Sequence, residues 1–210
     1  MDQGFCLLIK IAIIVVSIHA VICQKCGVQK EVSFARIPAI NTLLSLDEFD
    51  THIEGREMGE VYYALPKPAA FIPDINYKST ITKDPGSTQL YTLASKGETV
   101  AANSTCAARI FSLTPVDGID RALFFLTNSL IQAMWSSCPT RYILIMRCTN
   151  YKVGQKICLI KDTTIGFYIH GNMNDAPLIE IIEDLFRATG VKFGSPSLEW
   201  FFSFGENTLC

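Results

Sequence analysis

Two cysteines, Cys148 and Cys158, bracket the polar segment RCTNYKVGQKIC (147–158), and their spacing is the first sign of chemistry in the chain. A redox pair, one half of a metal site and a disulfide-stapled hairpin all place two cysteines around a short segment of this kind. The spacing alone does not separate these alternatives, because each requires different partners elsewhere in the chain. The other candidate residues therefore have to decide.

The histidines give no support to metal or triad chemistry. Outside the apolar N-terminus the chain has only His52 and His170, and neither stands in an HxxxH spacing or beside a CxxC pair. A structural zinc site or a histidine-based catalytic triad needs such partners. We therefore expect no metal, no cofactor and no enzymatic activity.

Composition excludes some partners. The 210-residue chain is 49% hydrophobic and 18% charged, with a formal net charge of −2 and a pI near 5.9. A chain of this length and composition fits one domain with a well-packed core. No run of Lys and Arg offers a phosphate-binding surface, so nucleic acid is not an expected partner.

The N-terminus has the pattern of a signal peptide. Residues 11–23 form an apolar region, and the polar sequence begins at Gln24. The small residue Cys23 suits signal peptidase, with cleavage after Ala20 as the alternative. We predict a signal peptide over 1–23, a lead-in over 24–45 and a domain over 46–210, in a secreted, extracellular protein. An uncleaved anchor is the minority alternative, and no later segment has the ~20 apolar residues of a membrane span.

Secretion changes the meaning of the cysteines. Cleavage after Cys23 leaves an even set in an oxidising compartment, which predicts disulfides. That set is Cys26, Cys106, Cys138, Cys148, Cys158 and Cys210. Asn103 begins an N-glycosylation sequon in a turn-like stretch, so we predict that it is glycosylated.

Short segments rich in β-branched and aromatic residues, separated by turns, predict an antiparallel barrel or sandwich. Eight predicted strands cover 58–66, 76–82, 87–95, 106–114, 121–127, 141–147, 155–160 and 165–170. Asp84-Pro85-Gly86 is a turn, because Pro fixes φ and Gly accepts positive φ. The segment 129–140 is ambiguous between a strand and a loop, and 198–204 predicts a further strand.

One segment, NDAPLIEIIEDLFRATG (174–190), predicts a helix. Asn174 or Asp175 is the expected N-cap, and Gly190 is the expected C-cap. Apolar residues at helical spacing from Leu178 to Leu185 mark the face that packs against the sheet. We expect the pair Glu183-Asp184 to lie on the solvent side.

The order of these elements resembles the lipocalin family, in a divergent form close to the apolipoprotein D and bilin-binding type. In the first motif of that family Gly59, Tyr62, Pro68 and Phe71 hold matching positions. The segment 149–151 (Thr149, Asn150, Tyr151) resembles the Thr-Asp-Tyr of the second motif. The strand and helix over 165–190 resemble the third. Val61 and His170 replace the Trp and Arg that pack together at the closed end of lipocalin barrels.

The resemblance implies an eight-stranded up-and-down barrel with a C-terminal helix packed on it. Its inward residues would bind a small hydrophobic ligand such as a fatty acid, sterol or retinoid. By strand alternation, the candidate lining residues are Val61, Tyr63, Leu65, Phe111, Phe125, Tyr142, Leu144, Met146 and Phe167. The alternative is an extracellular protein with a filled barrel whose loops bind a receptor or another protein.

The resemblance also implies disulfide pairings. Cys26 is expected to reach Cys158, and Cys210 is expected to pair with Cys106, Cys138 or Cys148. A pairing of Cys148 with Cys158 across their hairpin is the competing arrangement. By either route, the segment that opened this section is predicted to be a turn and its staple.

Overall fold

A computed structural model describes residues 31–69, 75–86, 90–98 and 106–202. The predicted signal peptide, Cys26, Asn103 and Cys210 lie outside the described residues, as does Phe71. The chain divides into two compact units, Met1–Glu31 and Val32–Cys210, and the fold given below is that of the second.

The second unit is built mainly from β-strands. In chain order they are β1 (Phe34–Arg36), β2 (Glu57–Pro66), β3 (Ile75–Lys83), β4 (Tyr91–Glu98), β5 (Cys106–Pro115), β6 (Leu123–Thr127), β7 (Leu130–Trp135), β8 (Tyr142–Cys148), β9 (Ile157–Leu159), β10 (Thr163–Ile169) and β11 (Leu198–Phe202). Each of the strands β2 to β7 pairs antiparallel with the strand that follows it, and β10 pairs with both β8 and β2. The double pairing of β10 closes an eight-stranded barrel, which confirms the predicted fold class.

The membership of the barrel differs from the prediction in one strand. The predicted strand 155–160 becomes the three-residue β9, which pairs with β1 in a separate small sheet. The ambiguous segment 129–140 instead supplies barrel strand β7. Strand β11 pairs with the second half of β2 outside the barrel.

A helix missing from the prediction, α1 (Leu46–His52), precedes the first barrel strand. It begins with a capping box: the Glu48 amide donates to Ser45 Oγ at 3.1 Å, and the Ser45 amide donates to the Glu48 carboxylate at 2.8 Å. These bonds favour the ionised carboxylate and hold the pKa of Glu48 below its usual value. The Ser-x-x-Glu pattern was the available sequence signal.

The predicted C-terminal helix is present as α2 (Leu178–Thr189). It ends at Gly190, whose φ of 75° is the left-handed conformation expected of a C-cap glycine. The expected N-cap at Asn174 or Asp175 is wrong. The helix begins directly after Pro177, and 173–175 form a separate 3-10 turn.

The expectation that Asp184 faces solvent is also wrong. Its side chain is buried, and Oδ2 accepts hydrogen bonds from the Tyr142 hydroxyl and from the Ser137 amide. Arg187 Nη1 lies 2.9 Å from Oδ1. Burial and the neighbouring carboxylate together raise the pKa of Tyr142 to about 12. Asp184 therefore fastens α2 to the loop between β7 and β8, whereas Glu183 is exposed.

Two clusters of buried side chains lie on opposite sides of the barrel wall. All eight barrel strands contribute to the first, which therefore fills the inside. This inner cluster contains Leu44, Phe49, Ile53, Met58, Ile81, Tyr91, Leu93, Leu113, Ala122, Phe124, Met134, Ile143, Ile145 and Tyr168. The outer cluster joins one side of the barrel to α2, β1, β9 and β11, through residues such as Ile181, Ala35, Cys158 and Leu198. Within the described residues, no helix is long and apolar enough to cross a membrane.

Candidate ligand site inside the barrel

The closed end of the barrel is filled by side chains. Phe49 of α1 packs against Tyr91 and Phe124, with ring centroids 5.2 Å and 5.3 Å away, and those two rings are themselves 5.5 Å apart. Helix α1 thus inserts an aromatic residue between the strands and plugs this end. Beside this plug, Leu46, Tyr91 and the loop 115–120 border a cavity of about 290 Å³.

A polar contact holds α1 in place. Asp50 Oδ2 lies 2.7 Å from Lys83 Nζ, and Asp50 Oδ1 accepts a hydrogen bond of 2.8 Å from the Tyr91 hydroxyl. The hydrogen bond to Asp50 raises the pKa of Lys83, and burial together with Asp50 raises the pKa of Tyr91 to about 12. These groups tie the plug to β3 and β4 and serve a structural role.

Towards the open end, the inward positions become polar. Strand alternation carries the inner face from Met58 to Glu60, from Met134 to Gln132 and from Ile145 to Arg147. On the opposite wall, Ser79 and Ser95 are buried and their hydroxyls lie 2.9 Å apart.

Glu60, Gln132, Arg147 and Tyr168 form what we call the interior polar group. They lie on β2, β7, β8 and β10, which are consecutive around the barrel. Gln132 and Arg147 are paired directly across β7 and β8, and Arg147 Nε donates to Gln132 Oε1 at 2.7 Å. Burial alone would lower the pKa of Arg147, but Tyr168, Tyr63 and Glu60 together raise it. The guanidinium is therefore charged inside the barrel.

Glu60 is the second ionisable member of the group. Its side chain is only 2% exposed, and this burial raises its pKa to about 7. A hydrogen bond from Tyr168 and the charge of Arg147 act in the opposite direction but do not offset the burial. Burial and the same carboxyl hold the pKa of Tyr168 well above its usual range.

Two atoms of the interior polar group lack hydrogen-bond partners among the described residues. They are Glu60 Oε1, an acceptor, and Gln132 Nε2, a donor. A buried polar atom without a partner costs about 1–3 kcal/mol, so protein interiors rarely keep one unless another molecule can reach it. Trp135 Nε1, His170 Nε2, Ser195 Oγ and Trp200 Nε1 are likewise buried without a partner among the described residues.

On β5, side chains of the inner face are exposed to solvent. Phe111 pairs with Leu93 of the inner cluster and therefore points inward, yet it is 37% exposed. Further along, Arg109 lies opposite Ser95 on the same face and is exposed. In the described residues β5 pairs with β6 only through Thr114 and Pro115, so the two strands diverge towards this end. The aromatic ring of Phe111 is thus an apolar group on the inner face at this end of the barrel.

The structure divides the predicted lining residues between the two faces. Tyr63, Leu65 and Phe111 lie on the inner face. The inward phase predicted for the other six is wrong, because all of them belong to or pack against the outer cluster: Val61, Phe125, Tyr142, Leu144, Met146 and Phe167. On β8 both faces are buried, because α2 covers the outer one. The residues of β8 therefore do not alternate between apolar and polar, and the sequence does not indicate which of them face inward. On β2 a bulge beside Val61 shifts the register.

The predictions missed Glu60, Gln132 and Arg147. Each is a polar residue within an otherwise apolar strand segment, in MGEVYY, LIQAMW and YILIMR respectively. A polar residue of this kind is a signal for a buried polar site, because central strands seldom carry one without a partner. Among the described residues, no three His, Cys, Asp or Glu side chains come together as a metal site requires.

The motif positions shape the ends of the barrel. The turn after β8 is formed by Thr149, Asn150 and Tyr151, with Asn150 at a φ of 59°. The Thr149 amide donates to the Asp162 carbonyl at 2.9 Å, and Asn150 Nδ2 donates to the Asp162 carboxylate at 3.1 Å. The turn is thereby fixed to the segment that leads into β10.

Gly59 and His170 lie at the other, closed end of the barrel. Gly59 pairs with Ile169 across β2 and β10, and His170 follows directly. The His170 amide donates to the Arg141 carbonyl at 2.9 Å. Burial lowers the pKa of His170, which favours its neutral form. Its role here is structural.

The cysteines pair differently from the arrangement that the resemblance implied. Cys148 is bonded to Cys158, so the expected pairing of Cys26 with Cys158 is wrong. Cys148 ends β8 and Cys158 lies in β9, and their Cα atoms are 5.9 Å apart. Cys106 is also disulfide-bonded. Cys138, expected to be in a disulfide, carries a free thiol.

Taken together, these features define a closed eight-stranded barrel with one plugged end and a polar group inside its open half. No protein-family model matches the sequence, and no curated protein matches it either. Lobster apocrustacyanin A1 is similar in structure, with a TM-score of 0.56 and 10% identity over 87% of this chain and 95% of that one. Apocrustacyanin C2 gives a TM-score of 0.55 and 10% identity over 88% and 96%. The chain has a divergent lipocalin-like fold, which confirms the predicted resemblance at the level of fold.

Proposed function

We propose that this protein binds a small, predominantly apolar molecule in the open half of its barrel and carries it through an extracellular compartment. The observation that carries the proposal is the inner face itself. A partly exposed Phe111 and a buried polar group with two unpaired atoms both lie on it. Small-molecule sites typically combine apolar walls with a few polar groups in this way.

The energetics favour an apolar ligand. Removing apolar surface from water is worth about 25 cal/mol per Å². The barrel is held closed by strand pairing on both sides of β10, so its wall needs little ordering on binding. The signal-peptide pattern and the Cys148–Cys158 disulfide support an oxidising, extracellular location.

Binding of a neutral fluorescent probe, N-phenyl-1-naphthylamine, to the secreted protein tests the proposal. Replacing Ser95 by Leu adds an apolar side chain inside the chamber, and it should weaken probe binding by tenfold or more. The matched control is Lys96→Leu, the next residue on β4, which is exposed on the outer face. Native mass spectrometry of freshly secreted protein should also show a co-purifying small molecule. Absence of both probe binding and any co-purifying molecule would rule out the carrier.

A second candidate, an extracellular protein that binds another protein, is favoured by one observation. Along most of β5 only β4 is paired in the described residues, and Ile110 on its outer face is 75% exposed. A strand edge beside an exposed apolar residue can accept another strand. If Ile110→Lys abolishes capture of a partner while probe binding is never observed, this second function replaces the first.

A further inference from the structure

We infer that the small sheet of β1 and β9 is a docking face for an anionic lipid surface, which the protein contacts from one side. The face combines exposed apolar side chains with exposed cations at its border. The inference goes beyond the proposed function and does not depend on it, because docking requires no ligand in the barrel.

The first step is the register of the small sheet, which sorts its residues by face. Phe34 pairs with Leu159, and Arg36 pairs with Ile157. Paired residues of neighbouring strands point to the same side of a sheet, so these four side chains share one face. Phe34, Ile157 and Leu159 are 50%, 43% and 45% exposed. The face therefore presents three large apolar side chains and one cation to solvent.

The second step is the attachment of the sheet to the barrel. On the opposite face, Ala35 pairs with Cys158, and both are fully buried in the outer cluster. Cys158 is also bonded to Cys148, the last residue of β8. The exposed face is thus held in place from below, and its apolar side chains remain turned outward.

The disulfide also shows which end of the barrel the sheet occupies. Cys148 pairs with Thr163, the first residue of β10. The last residue of β10, Ile169, pairs with Gly59 at the closed end. The small sheet therefore lies near the end opposite the α1 plug.

The third step is charge. Lys152 and Lys156 precede β9, Lys161 follows it, and all three are exposed. The segments 32–46 and 148–161 contain no Asp or Glu. Asp162, the next residue, is half-buried, and its carboxylate accepts a hydrogen bond of 3.1 Å from Asn150 Nδ2. The two segments are thus purely cationic, although the whole chain has a net charge of −2.

The fourth step is the turn that leads into β9. The Gln155 amide donates to the Lys152 carbonyl at 3.0 Å, and Gly154 has a φ of 86°, as in a tight turn. Val153, within this turn, is 85% exposed. Turns usually carry Gly, Pro, Asn, Asp or Ser at such positions. An exposed valine between lysines is better suited to the boundary between water and lipid.

The combination of side chains favours a lipid surface over a second protein. Interfaces between proteins are depleted of lysine, whereas lipid-binding surfaces combine Lys and Arg with exposed apolar side chains. The apolar residues can enter the head-group boundary while the long lysine side chains keep their ammonium groups beside the phosphates. Each Lys or Arg near an anionic lipid surface strengthens binding roughly fivefold.

Co-sedimentation of the secreted protein with vesicles tests the inference. At about 0.1 M NaCl, vesicles of equal parts phosphatidylserine and phosphatidylcholine should bind at least tenfold more tightly than vesicles of phosphatidylcholine alone. Raising the salt to about 1 M shortens the screening length from about 10 Å to about 3 Å. That change should weaken binding to the mixed vesicles at least tenfold.

Two variants separate the apolar part of the face from the charged part. Phe34→Thr/Leu159→Thr keeps residues that suit a strand but removes apolar area, and it should weaken binding to the mixed vesicles at least tenfold. Its control is Ile110→Thr, an exposed apolar residue of β5 on the barrel wall opposite β10, which should bind like wild type. Lys161→Glu should also weaken binding at least tenfold. Its control, Arg56→Glu, makes the same change in net charge beside α1 and should alter binding less than threefold.

Several outcomes would overturn the inference. Equal binding to both kinds of vesicle, or wild-type binding by Phe34→Thr/Leu159→Thr, would show that the face does not recognise anionic lipid. Equal losses in Lys161→Glu and Arg56→Glu would show that net charge alone attracts the protein. Because Lys161→Glu changes an exposed side chain outside the strands, it keeps the test decisive even if the strand variant does not fold.

Two other occupants of the face are distinguishable in the same protein. Retention on heparin beads without vesicle binding would identify a soluble polyanion, and a dimer in analytical ultracentrifugation without vesicle binding would identify a second copy of the chain. Either result would make the inference wrong. None of these measurements uses the fluorescent probe, so the proposed function stands or fails separately.

Discussion

The ring of Tyr168 lies directly over Gly166, two residues earlier on the same barrel strand. A Cβ on residue 166 would approach Tyr168 Cε2 to 2.6 Å, a distance that real Cβ atoms essentially never show. The absence of a side chain at 166 therefore lets Tyr168 extend along the inner wall towards Glu60. One glycine thus sets the geometry of the interior polar group.

A double-mutant cycle tests this relationship. Gly166→Ala should destabilise the protein by about 1–3 kcal/mol, because the added methyl overpacks the wall. In a Tyr168→Ala background the same change should be neutral or slightly stabilising, since alanine suits a strand better than glycine. Urea denaturation of the four proteins measures the coupling. Additive effects would contradict the close contact.

Glu60 should make stability depend on pH. Its folded pKa of about 7 lies above the ordinary glutamate pKa of 4.5, so the folded protein retains a proton that the unfolded chain releases. Stability contributed by the neutral carboxyl is full below pH ~4.5 and is lost as the pH rises through ~7. Relative to wild type, Glu60→Gln should therefore gain roughly 3 kcal/mol between these limits.

Urea midpoints at intervals from pH 4 to pH 8 measure that difference. Ser79→Ala also alters the barrel interior but adds or removes no titrating group, so its difference from wild type should stay constant with pH. A Glu60→Gln difference that is equally constant would show that the carboxyl ionises normally in the folded protein.

Asp184 and Glu183 should respond very differently to neutralisation. The Asp184 carboxylate accepts hydrogen bonds from the Tyr142 hydroxyl and the Ser137 amide, and it pairs with Arg187. Asp184→Asn removes its charge and should lower the free energy of unfolding by about 2–3 kcal/mol. Glu183→Gln, the adjacent exposed residue, should change stability by less than about 0.5 kcal/mol. Thermal unfolding of both variants makes the comparison, and equal effects would place Asp184 in solvent.

The disulfide assignment can be checked on tryptic peptides. Cleavage at Arg147, Lys152, Lys156 and Lys161 should release 148–152 linked to 157–161 in non-reduced protein. Cys138 should be alkylated without prior reduction once the chain is unfolded. A link from 157–161 to a peptide containing Cys26 would overturn the assignment.

Removing that disulfide should weaken the fold moderately. It closes a loop with a sequence separation of 10 residues. For a loop of that size the chain-entropy estimate is about 2–3 kcal/mol. The Cys148→Ala/Cys158→Ala variant should show this loss in urea denaturation, whereas Cys138→Ala should not alter disulfide content.

The sequence predicted the positions of most strands, but it did not predict which residues of each strand face the barrel interior. The turn at Asp84-Pro85-Gly86 and the C-cap at Gly190 are local features, and the structure has both where they were expected. Strand β8 is apolar on both faces, so the choice between Leu144 and Ile145 as an inward residue was not encoded in its pattern. That choice depends on which face α2 covers.

For the interior polar group too, the sequence showed the residues but not their contacts. Polar residues inside apolar strands, such as Gln132 and Arg147, were visible in the sequence but had no assigned partners there. Their bond crosses β7 and β8, and Gln132 lies in a segment whose strand character was itself ambiguous. Only the register of the two strands brings these side chains together.

The sequence by itself determined an antiparallel barrel or sandwich, a C-terminal helix and a staple at RCTNYKVGQKIC, because turns, caps and β-rich segments are fixed by local conformational preferences. The tertiary structure decided which face is the interior, which cysteine is the partner of Cys158 and which polar atoms remain unpaired. These depend on the closure of β10 against β2, a contact between distant segments. Distant contacts follow from the packing of the whole barrel and leave no mark in the spacing of neighbouring residues.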